Sequence, residues 1–282
     1  MGETRRYSGP AEVAAVERAA GDAVVLRLAA PAVAGMAAPG QFVMVRSPDR
    51  VDPLLPRPFS VHDVEGDDLL LLIRLVGRTS TMLAEVEAGQ ALHLVGPLGR
   101  GFTVDVAQPP PAADNEGNAA QPGAAVPPGR HILVGGGMGV APFPFLLRTL
   151  HERGAAVQVL MGASGQDGLY TPDRLDPEHQ SAITEDGSSG RQGLVTELLS
   201  EALDEGPGAT VYACGPQGML AAVGQACTER GVPCQLSLEA MMACGTGLCH
   251  GCAVRMADGT YGRVCKDGPV FNAADLAAPW WT

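Results

Sequence analysis

The sequence lacks the features that would place the protein in a membrane or on nucleic acid. No stretch approaches about 18 consecutive apolar residues, so no transmembrane helix is predicted. The N-terminus has no apolar segment of the kind that signal peptides carry. Basic residues are outnumbered, with 19 Lys and Arg against 31 Asp and Glu, and the net charge of −12 argues against nucleic acid and anionic membranes as partners. The expected location is the cytoplasm.

The cysteines lack the arrangement of a disulfide scaffold or of a typical structural zinc site. Structural zinc sites usually pair two C-x2-C knuckles, and only one such knuckle is found here, Cys249 to Cys252. Four of the seven cysteines instead follow the spacing C-x4-C-x2-C-x12-C, namely Cys244, Cys249, Cys252 and Cys265. That spacing is typical of plant-type [2Fe–2S] ligation, and clustered thiolates fit a reducing compartment. A zinc site and unligated buried cysteines are the alternatives that stay open.

Glycines surround these cysteines. Gly245 and Gly247 lie in the four-residue loop, and Gly251 lies in the two-residue turn. Glycine accepts positive φ angles and a close approach of the backbone, and a loop wrapped tightly around inorganic sulfide needs both. Since an iron–sulfur cluster exchanges single electrons, the rest of the chain is expected to bind groups that give and take electrons.

The N-terminal third predicts a small antiparallel barrel. At 282 residues the chain is long enough for two or more domains. Residues 8–103 contain short strand-like runs divided by Gly and Pro, at the spacing typical of barrels. The runs are residues 23–28, 41–46, 69–76 and 91–95.

Two motifs in this barrel indicate ligand binding. The first opens a strand and consists of Arg57, Pro58, Phe59 and Ser60. An Arg guanidinium suits a pyrophosphate, whereas Phe can cover a ring and Ser can hydrogen-bond. The second motif, Thr79 and Ser80, is expected to precede a short helix whose N-terminal amides favour phosphate. The simpler interpretations are a strand edge and a plain N-cap.

The middle of the chain predicts a nucleotide-binding domain after a linker. Residues 104–130 are rich in Pro, Ala and Gly without a hydrophobic period, which indicates a linker. Strand 131–134 then leads into a glycine turn, followed by a helix at 143–153 and a strand at 157–161. This order predicts a doubly wound parallel α/β domain over residues 131–233. The turn lacks the G-x-G-x-x-G fingerprint, and its glycines are Gly135, Gly136, Gly137 and Gly139.

A second glycine turn follows strand 209–213 and contains Cys214, Gly215 and Pro216. It is expected to form the other side of a nucleotide crevice, with Cys214 either beside a nicotinamide ring or simply buried. No Arg or Lys stands after strand 157–161 before Arg174, which favours NAD over NADP.

The C-terminal residues, 234–282, are predicted to form a small [2Fe–2S] segment. Its apolar tail, residues 277–281, is expected either to contact a partner protein or to pack on its own domain.

The order of these motifs resembles the electron-transfer subunit of type B dihydroorotate dehydrogenase, in the ferredoxin-reductase superfamily. The likeness covers nearly the whole chain outside the linker and is most specific at residues 239–249 and 264–271. It implies a multi-domain β plus α/β protein with FAD on the barrel, NAD on the α/β domain and a [2Fe–2S] cluster in the C-terminal segment. By this resemblance the residues that meet FAD are Arg57, Pro58, Phe59, Ser60, Leu72, Ile73, Arg74, Thr79 and Ser80, with Thr79 in place of the family's Gly.

The resemblance also implies an oxidoreductase subunit with no catalytic residue for the substrate itself. A separate FMN-containing catalytic subunit would oxidise dihydroorotate to orotate in pyrimidine (UMP) biosynthesis, and two copies of each chain would form a heterotetramer. Electrons would pass from FMN to the cluster, then to FAD and NAD+.

Two alternatives are retained. One is the FAD/[2Fe–2S] small subunit of an NADH-dependent ferredoxin:NADP oxidoreductase, a sulfide dehydrogenase or a hydrogenase, because these share the superfamily motifs. The other is a zinc-stabilised interaction module without enzymatic function, which does not account for three nucleotide-type motifs in order.

Overall fold

The N-terminal part of the chain is a closed antiparallel barrel, as the sequence predicts. The computed structural model describes residues 6–19, 21–46, 52–104, 129–170, 175 and 180–280. The barrel strands are β1 Tyr7–Arg18, β2 Ala23–Ala29, β3 Phe42–Arg46, β4 Arg57–Glu65, β5 Asp68–Arg74 and β6 Ala91–Leu98. They close in the order β1-β2-β5-β4-β3-β6. Two short helices accompany them, α1 Pro31–Ala34 and α2 Arg78–Ala84.

The barrel interior is filled by side chains that alternate along the strands. Val24, Leu26 and Leu28 of β2 are at most 2% exposed, which is the period-2 pattern of a strand with one buried face. Strand β5 is buried without alternation from Leu69 to Ile73. One reason is that Leu72 belongs to the core of the second domain, so β5 is covered on both faces.

The rest of the chain contributes nine strands and three helices within the described residues. The strands are β7 Arg130–Gly136, β8 Ala156–Ala163, β9 Gln180–Thr184, β10 Arg191–Gln192, β11 Ala209–Cys214, β12 Cys234–Ser237, β13 Ala253–Arg255, β14 Tyr261–Arg263 and β15 Val270–Asn272. The helices are α3 Phe143–His151, α4 Val195–Asp204 and α5 Gln217–Glu229.

Seven of these strands form one sheet in the order β10-β9-β8-β7-β11-β12-β15. All neighbours are parallel except β12 and β15, which confirms the predicted parallel α/β domain. The sheet takes β12 and β15 from the range 234–282 that was predicted for the cluster segment. The domain bounds 8–103, 131–233 and 234–282 stay predictions, and most of the predicted linker, 104–130, lies outside the described residues.

The cluster segment is a loop between two hydrogen-bonded strands. Strand β12 pairs with β15, and residues 238–269 leave and return to the sheet between them. The loop contains the hairpin β13–β14 and packs on the barrel, where the Arg100 amide donates to the Gly268 carbonyl oxygen at 2.5 Å. One core cluster accordingly joins Met44 of β3 to Cys252 and other residues of the loop.

The apolar tail packs on its own domain as far as Trp280. The side chain of Trp280 is 5% exposed, and its carbonyl oxygen accepts a hydrogen bond from the Arg255 amide at 2.9 Å. Of the two interpretations of the tail, self-packing therefore holds for this residue. Nowhere in the described part of the chain is a helix both long and apolar enough to cross a bilayer.

Candidate functional site

The four predicted cluster cysteines come together as two sulfur pairs. The sulfurs of Cys252 and Cys265 are 3.3 Å apart, and the side chains of Cys244 and Cys249 interact with each other. In the described residues, no three His, Cys, Asp or Glu side chains converge on a single metal ion, as a tetrahedral zinc site requires. Two pairs of thiolates suit two irons, so the donor set fits a [2Fe–2S] cluster.

Backbone amides of the cysteine loop point at the sulfurs. Gly247 N donates to Cys265 Sγ at 3.1 Å, and Thr246 N donates to Cys244 Sγ at 3.4 Å. This direction of the amides depends on the left-handed backbone of Gly247, with φ of 84°, which a residue with a Cβ rarely adopts. Amide hydrogen bonds to sulfur are one means by which a protein sets the potential of an iron–sulfur cluster.

The same amides change the acidity of one thiol. Burial alone would raise the pKa of Cys244, but hydrogen bonds from the amides of Cys249 and Thr246 outweigh it and lower the pKa to about 5. Cys265 lies deeper, and burial together with the Cys252 sulfur raises its pKa to about 12. Because the thiolate is the metal-binding form, metal binding at Cys265 is coupled to the loss of a proton.

The Arg263 side chain hydrogen-bonds to the cysteine loop. Its Nη1 donates to the Gly247 carbonyl oxygen at 3.2 Å, and its Nε donates to Asp267 Oδ2 at 3.0 Å. Partial burial would raise the pKa of Asp267, but the hydrogen bonds from Arg263 keep it below its usual value. No motif in the sequence distinguishes Arg263 from an ordinary surface arginine.

The two sulfur pairs differ in their access to solvent. Cys252 and Cys265 are 3% and 2% exposed, whereas Cys249 is open to solvent. Two large apolar side chains near the outer pair in sequence are also exposed, Met241 at 91% and Leu248 at 82%. We call Met241, Leu248 and Cys249 the outer face of the cluster loop.

The predicted flavin motif lies on strand β4 at one end of the barrel. Val61 pairs with Leu71, and this antiparallel register places Arg57 and Arg74 toward the same end of strands β4 and β5. Arg57 and Arg74 are exposed, whereas Pro58, Phe59 and Ser60 are half-buried. Half-buried apolar and hydroxyl groups beside exposed guanidinium groups fit a flat ligand with a pyrophosphate.

Other predicted flavin residues have their side chains inside the protein. Leu72 and Ile73 are 4% and 1% exposed, so a ligand could reach only their backbone atoms. Thr79 and Ser80 lie within helix α2 rather than before it, so the predicted start of that helix was wrong. The Ser80 hydroxyl accepts from the Gly77 amide at 3.1 Å and donates to the Gly77 carbonyl at 2.8 Å, which makes it part of the helix cap.

The two predicted glycine turns face each other across a cleft of about 1210 Å³. Gly136, Gly137 and Gly139 line one side, and Gly215 and Pro216 line the other. Gly135 lies just before them, buried at the end of β7.

The turns approach each other so closely that neither has room for a side chain at the contact. A Cβ at Gly139 would lie 2.0 Å from the Cys214 carbonyl oxygen. A Cβ at Gly136 would lie 2.6 Å from Met219 Sδ. Since real Cβ atoms do not approach other atoms so closely, the cleft depends on glycine at these positions.

Cys214 lies behind the cleft rather than on its surface. It is 4% exposed, and it is absent from the residues that line the cleft. Burial, with the nearby carboxylate of Glu239, raises the pKa of this thiol to about 12, so it is a neutral thiol at physiological pH. Contact of Cys214 with a nicotinamide ring stays a prediction.

Among the residues that the structure describes, the cleft is lined by several carboxylates and one arginine. The acidic residues are Asp167, Glu185, Asp186 and Glu239, and the arginine is Arg74. Arg74 Nε also donates to both carboxylate oxygens of Asp22, at 3.0 and 3.1 Å. A nucleotide that carries a 2′-phosphate would therefore meet net negative charge in this cleft, which agrees with the predicted preference for NAD.

Replacing Asp186 with Asn is expected to raise kcat/KM for NADPH by about tenfold, because one unit of repulsion on a doubly charged phosphate is removed. Hydrogen bonds from Ser188 lower the pKa of Asp186, so its charge is present throughout the neutral range. Dye reduction by NADPH and by NADH measures the change, and Asp204→Asn at the end of α4 is the matched control. An unchanged NADPH rate would show that Asp186 does not act in this selection.

A pair of contacts outside all predicted motifs joins the barrel to the second domain. His62 Nδ1 donates to the carbonyl oxygen of Ala141 at 2.6 Å, and Arg148 Nη2 donates to Asp63 Oδ1 at 2.7 Å. The contact between Arg148 and Asp63 is an ion pair, in which the Asp63 side chain is 6% exposed. The only signal in the sequence was that His62 and Asp63 lie on the same strand as the flavin motif, separated from it by Val61.

Comparisons with known proteins find related sequences over most of the chain. The iron-sulfur cluster binding domain of dihydroorotate dehydrogenase B matches residues 239–277, and the oxidoreductase NAD-binding domain matches residues 133–225. The dihydroorotate dehydrogenase B (NAD(+)) electron transfer subunit of Desulforamulus reducens is 35% identical over 268 residues, which is 93% of this chain and 95% of that protein. The same subunit of Listeria monocytogenes is 35% identical over 256 residues, 89% of this chain and 91% of that protein.

Solved structures show a similar architecture. A chain of the NADH-dependent reduced ferredoxin-NADP oxidoreductase, studied for flavin-based electron bifurcation, has a TM-score of 0.78 and 26% identity, covering 99% of this chain and 92% of that one. Phthalate dioxygenase reductase has a TM-score of 0.56 and 15% identity over 92% of this chain and 94% of that one. The second likeness concerns the fold alone.

Proposed function

The chain belongs to the family of electron transfer subunits of NAD(+)-dependent dihydroorotate dehydrogenase B, and from this we propose that it carries electrons from a separate catalytic subunit to NAD+. The protein is an oxidoreductase component that binds FAD and a [2Fe–2S] cluster and uses NAD as electron acceptor. Its catalytic partner is an FMN-containing subunit that oxidises dihydroorotate to orotate in pyrimidine biosynthesis. A heterotetramer with two copies of each chain is the expected assembly.

The observation that carries this proposal is that the barrel contacts both the cysteine loop and the glycine cleft. The outer face of the cluster loop is open to solvent, and the other side of the loop packs on barrel strand β3. A Cβ at Gly245 would lie 2.6 Å from Cγ of Met44, and Met44 pairs with Pro58 of the flavin motif. The glycine cleft also borders the barrel, since Arg74 of β5 is one of its lining residues. A partner at the outer face would reach the cluster, and the barrel with its flavin motif touches both the cysteine loop and the cleft where NAD would bind.

Each group supplies one kind of chemistry when bound, since the cluster exchanges single electrons, FAD exchanges one or two, and NAD accepts a hydride. The chain's own residues determine where these exchanges occur. The paired cysteines and the amides of the loop would hold the cluster, and Arg263 fixes the loop through Gly247 and Asp267. Half-buried Phe59 and Ser60 with exposed Arg57 would hold the flavin and its pyrophosphate.

The nearest alternative is the FAD/[2Fe–2S] small subunit of an NADH-dependent ferredoxin:NADP oxidoreductase. The similarity in fold supports it, with a TM-score of 0.78. The higher identity to the dihydroorotate dehydrogenase B subunits, 35% against 26%, favours the first function.

The direct test is reconstitution with an FMN-containing dihydroorotate dehydrogenase chain from the same organism. The complex is expected to reduce NAD+ with dihydroorotate, and its mass in solution should equal two copies of each chain. The purified chain should show flavin and iron–sulfur absorption that NADH bleaches. A colourless protein that contains only zinc would overturn the proposal, and coupling only to a glutamate-synthase-like large subunit would favour the alternative.

Replacing Leu248 with Glu is expected to weaken the complex by roughly tenfold or more, because a buried interface anchor is often worth more than about 1 kcal/mol and a large exposed apolar side chain marks a contact surface. Dye reduction by NADH in the isolated chain should be unchanged. Binding of the two chains can be measured by calorimetry, with Met36→Glu, just after α1 on the barrel, as the matched control. Equal affinity for both variants would show that the outer face is not the docking surface.

A further inference from the structure

Strand β4 contacts both halves of the predicted electron path. Its first residues, 57–60, carry the flavin motif, and two residues later the strand reaches the nucleotide domain. His62 Nδ1 lies 2.6 Å from the Ala141 carbonyl oxygen, and Ala141 directly follows the turn that contains Gly139. One short piece of strand therefore joins the flavin side of the barrel to the wall of the nucleotide cleft.

A β-bulge produces this double contact. Val61 pairs with Leu71, whereas Asp63 pairs with Leu70, so His62 is an extra residue opposite β5. Successive side chains of a regular strand point to opposite faces, but a bulge changes the direction of the side chains around it. As a result, the consecutive side chains of His62 and Asp63 both reach the nucleotide domain, where Asp63 binds Arg148 of α3.

The contact is sheltered from water on both sides. His62 is 1% exposed, Asp63 is 4% exposed and Ala141 is 7% exposed. A carbonyl oxygen can only accept, so the hydrogen lies on Nδ1 of the imidazole. Loss of this donor would leave a buried carbonyl without its partner from β4, and the nearby turn would be free to shift to find another.

We propose that His62 is a positioning residue for hydride transfer between NAD and FAD, acting through the Ala141 carbonyl to fix the glycine turn relative to the flavin motif. NADH gives a hydride to oxidised FAD, which takes up one proton, leaving NAD+ and reduced FAD. Displacement of reacting groups by about 1 Å costs up to about a hundredfold in rate. His62 is not among the residues that line the cleft, so it acts on position rather than on nucleotide contact. This role of His62 rests on the proposed function, of which it needs only the FAD and NAD sites.

The test compares His62→Leu with His62→Asn in the full chain loaded with FAD and cluster. Asn carries an amide nitrogen at the place of Nδ1 and keeps the donor, whereas Leu fills similar space without one. We expect His62→Leu to slow flavin reduction by NADH at least about tenfold in stopped-flow measurements. The dissociation constant of NADH should change little, and the long-wavelength absorbance of the stacked nicotinamide–flavin complex should fall. His62→Asn should restore both rate and absorbance to within about threefold.

A second measurement does not depend on turnover. Amide hydrogen exchange of residues 137–141, in protein without nucleotide, should be faster in His62→Leu and near wild type in His62→Asn. A wild-type rate, absorbance and exchange in His62→Leu would overturn the proposal. So would equal damage in both variants with loss of flavin, because that result would assign His62 to folding alone. A wild-type chain that fails to bind FAD or NADH would instead refute the proposed function.

Discussion

Replacing Cys249 with Ser is expected to abolish the reduction of NAD+ by dihydroorotate in the reconstituted complex, with a loss of at least about a hundredfold, because one of the four predicted cluster ligands is removed. Cys249 belongs to the outer sulfur pair with Cys244 and is the predicted ligand most open to solvent. A serine hydroxyl is a poor substitute for a thiolate toward iron. Electrons from the partner would no longer reach the flavin, because the cluster is the first group on the proposed path in this chain.

Two partial reactions locate the defect. The catalytic subunit should still reduce a dye with dihydroorotate, and NADH should still reduce the flavin of this chain, because neither reaction needs the cluster. Cys227→Ala is the matched control, since Cys227 is a fully buried core residue on α5. If NAD+ reduction survives in Cys249→Ser while the iron–sulfur absorption is lost, the cluster does not lie on the electron path.

Replacing Gly139 with Ala is expected to weaken NADH binding strongly and to lower the rate of flavin reduction by about a hundredfold. The added Cβ would meet the Cys214 carbonyl oxygen at 2.0 Å and its carbonyl carbon at 2.4 Å. Both are backbone atoms of the opposite turn, so no flexible side chain can move aside. The two walls of the cleft would have to separate, and such overpacking typically costs about 1–3 kcal/mol of stability.

The control for the stability of this variant is Gly218→Ala, in the first turn of α5 and in the lining of the same cleft. A Cβ at Gly218 meets no atom within 4 Å, and alanine favours helix by up to about 1 kcal/mol over glycine. Its unfolding midpoint should be equal to or above that of the wild type. Thermal unfolding measures both variants, and calorimetric titration with NADH compares Gly139→Ala with the wild type. Wild-type affinity and stability in Gly139→Ala would contradict the view that the cleft depends on contact between the turns.

Local patterns in the sequence predict the scaffold because each needs only neighbouring residues. Strand alternation and turn glycines indicate the barrel, and the two strand–glycine–helix units indicate the parallel sheet. The cysteine spacing likewise indicates a cluster, since a tight loop around sulfide restricts which residues can lie between ligands. The positions of the predicted flavin and nucleotide residues as ligands stay predictions that the reconstituted protein can test.

The contacts that depend on tertiary structure could not be predicted in this way. His62 meets Ala141 across 79 positions in sequence, and Arg148 meets Asp63 across 85. The hydroxyl of Ser80 has the right chemistry for phosphate, and in the structure it closes the helix cap at Gly77. This partner is determined by where helix α2 begins, which the neighbouring residues alone do not reveal.

The pairing of β12 with β15 has a consequence for how such a protein could arise and be assembled. Neighbouring strands in a sheet lie about 4.8 Å apart, so the two ends of residues 238–269 are held side by side by the sheet itself. A segment anchored in this manner can be inserted, shortened or exchanged between ancestral reductases without rearranging the strands on either side. The sheet likewise closes the base of the cysteine loop, whether or not iron and sulfide are bound.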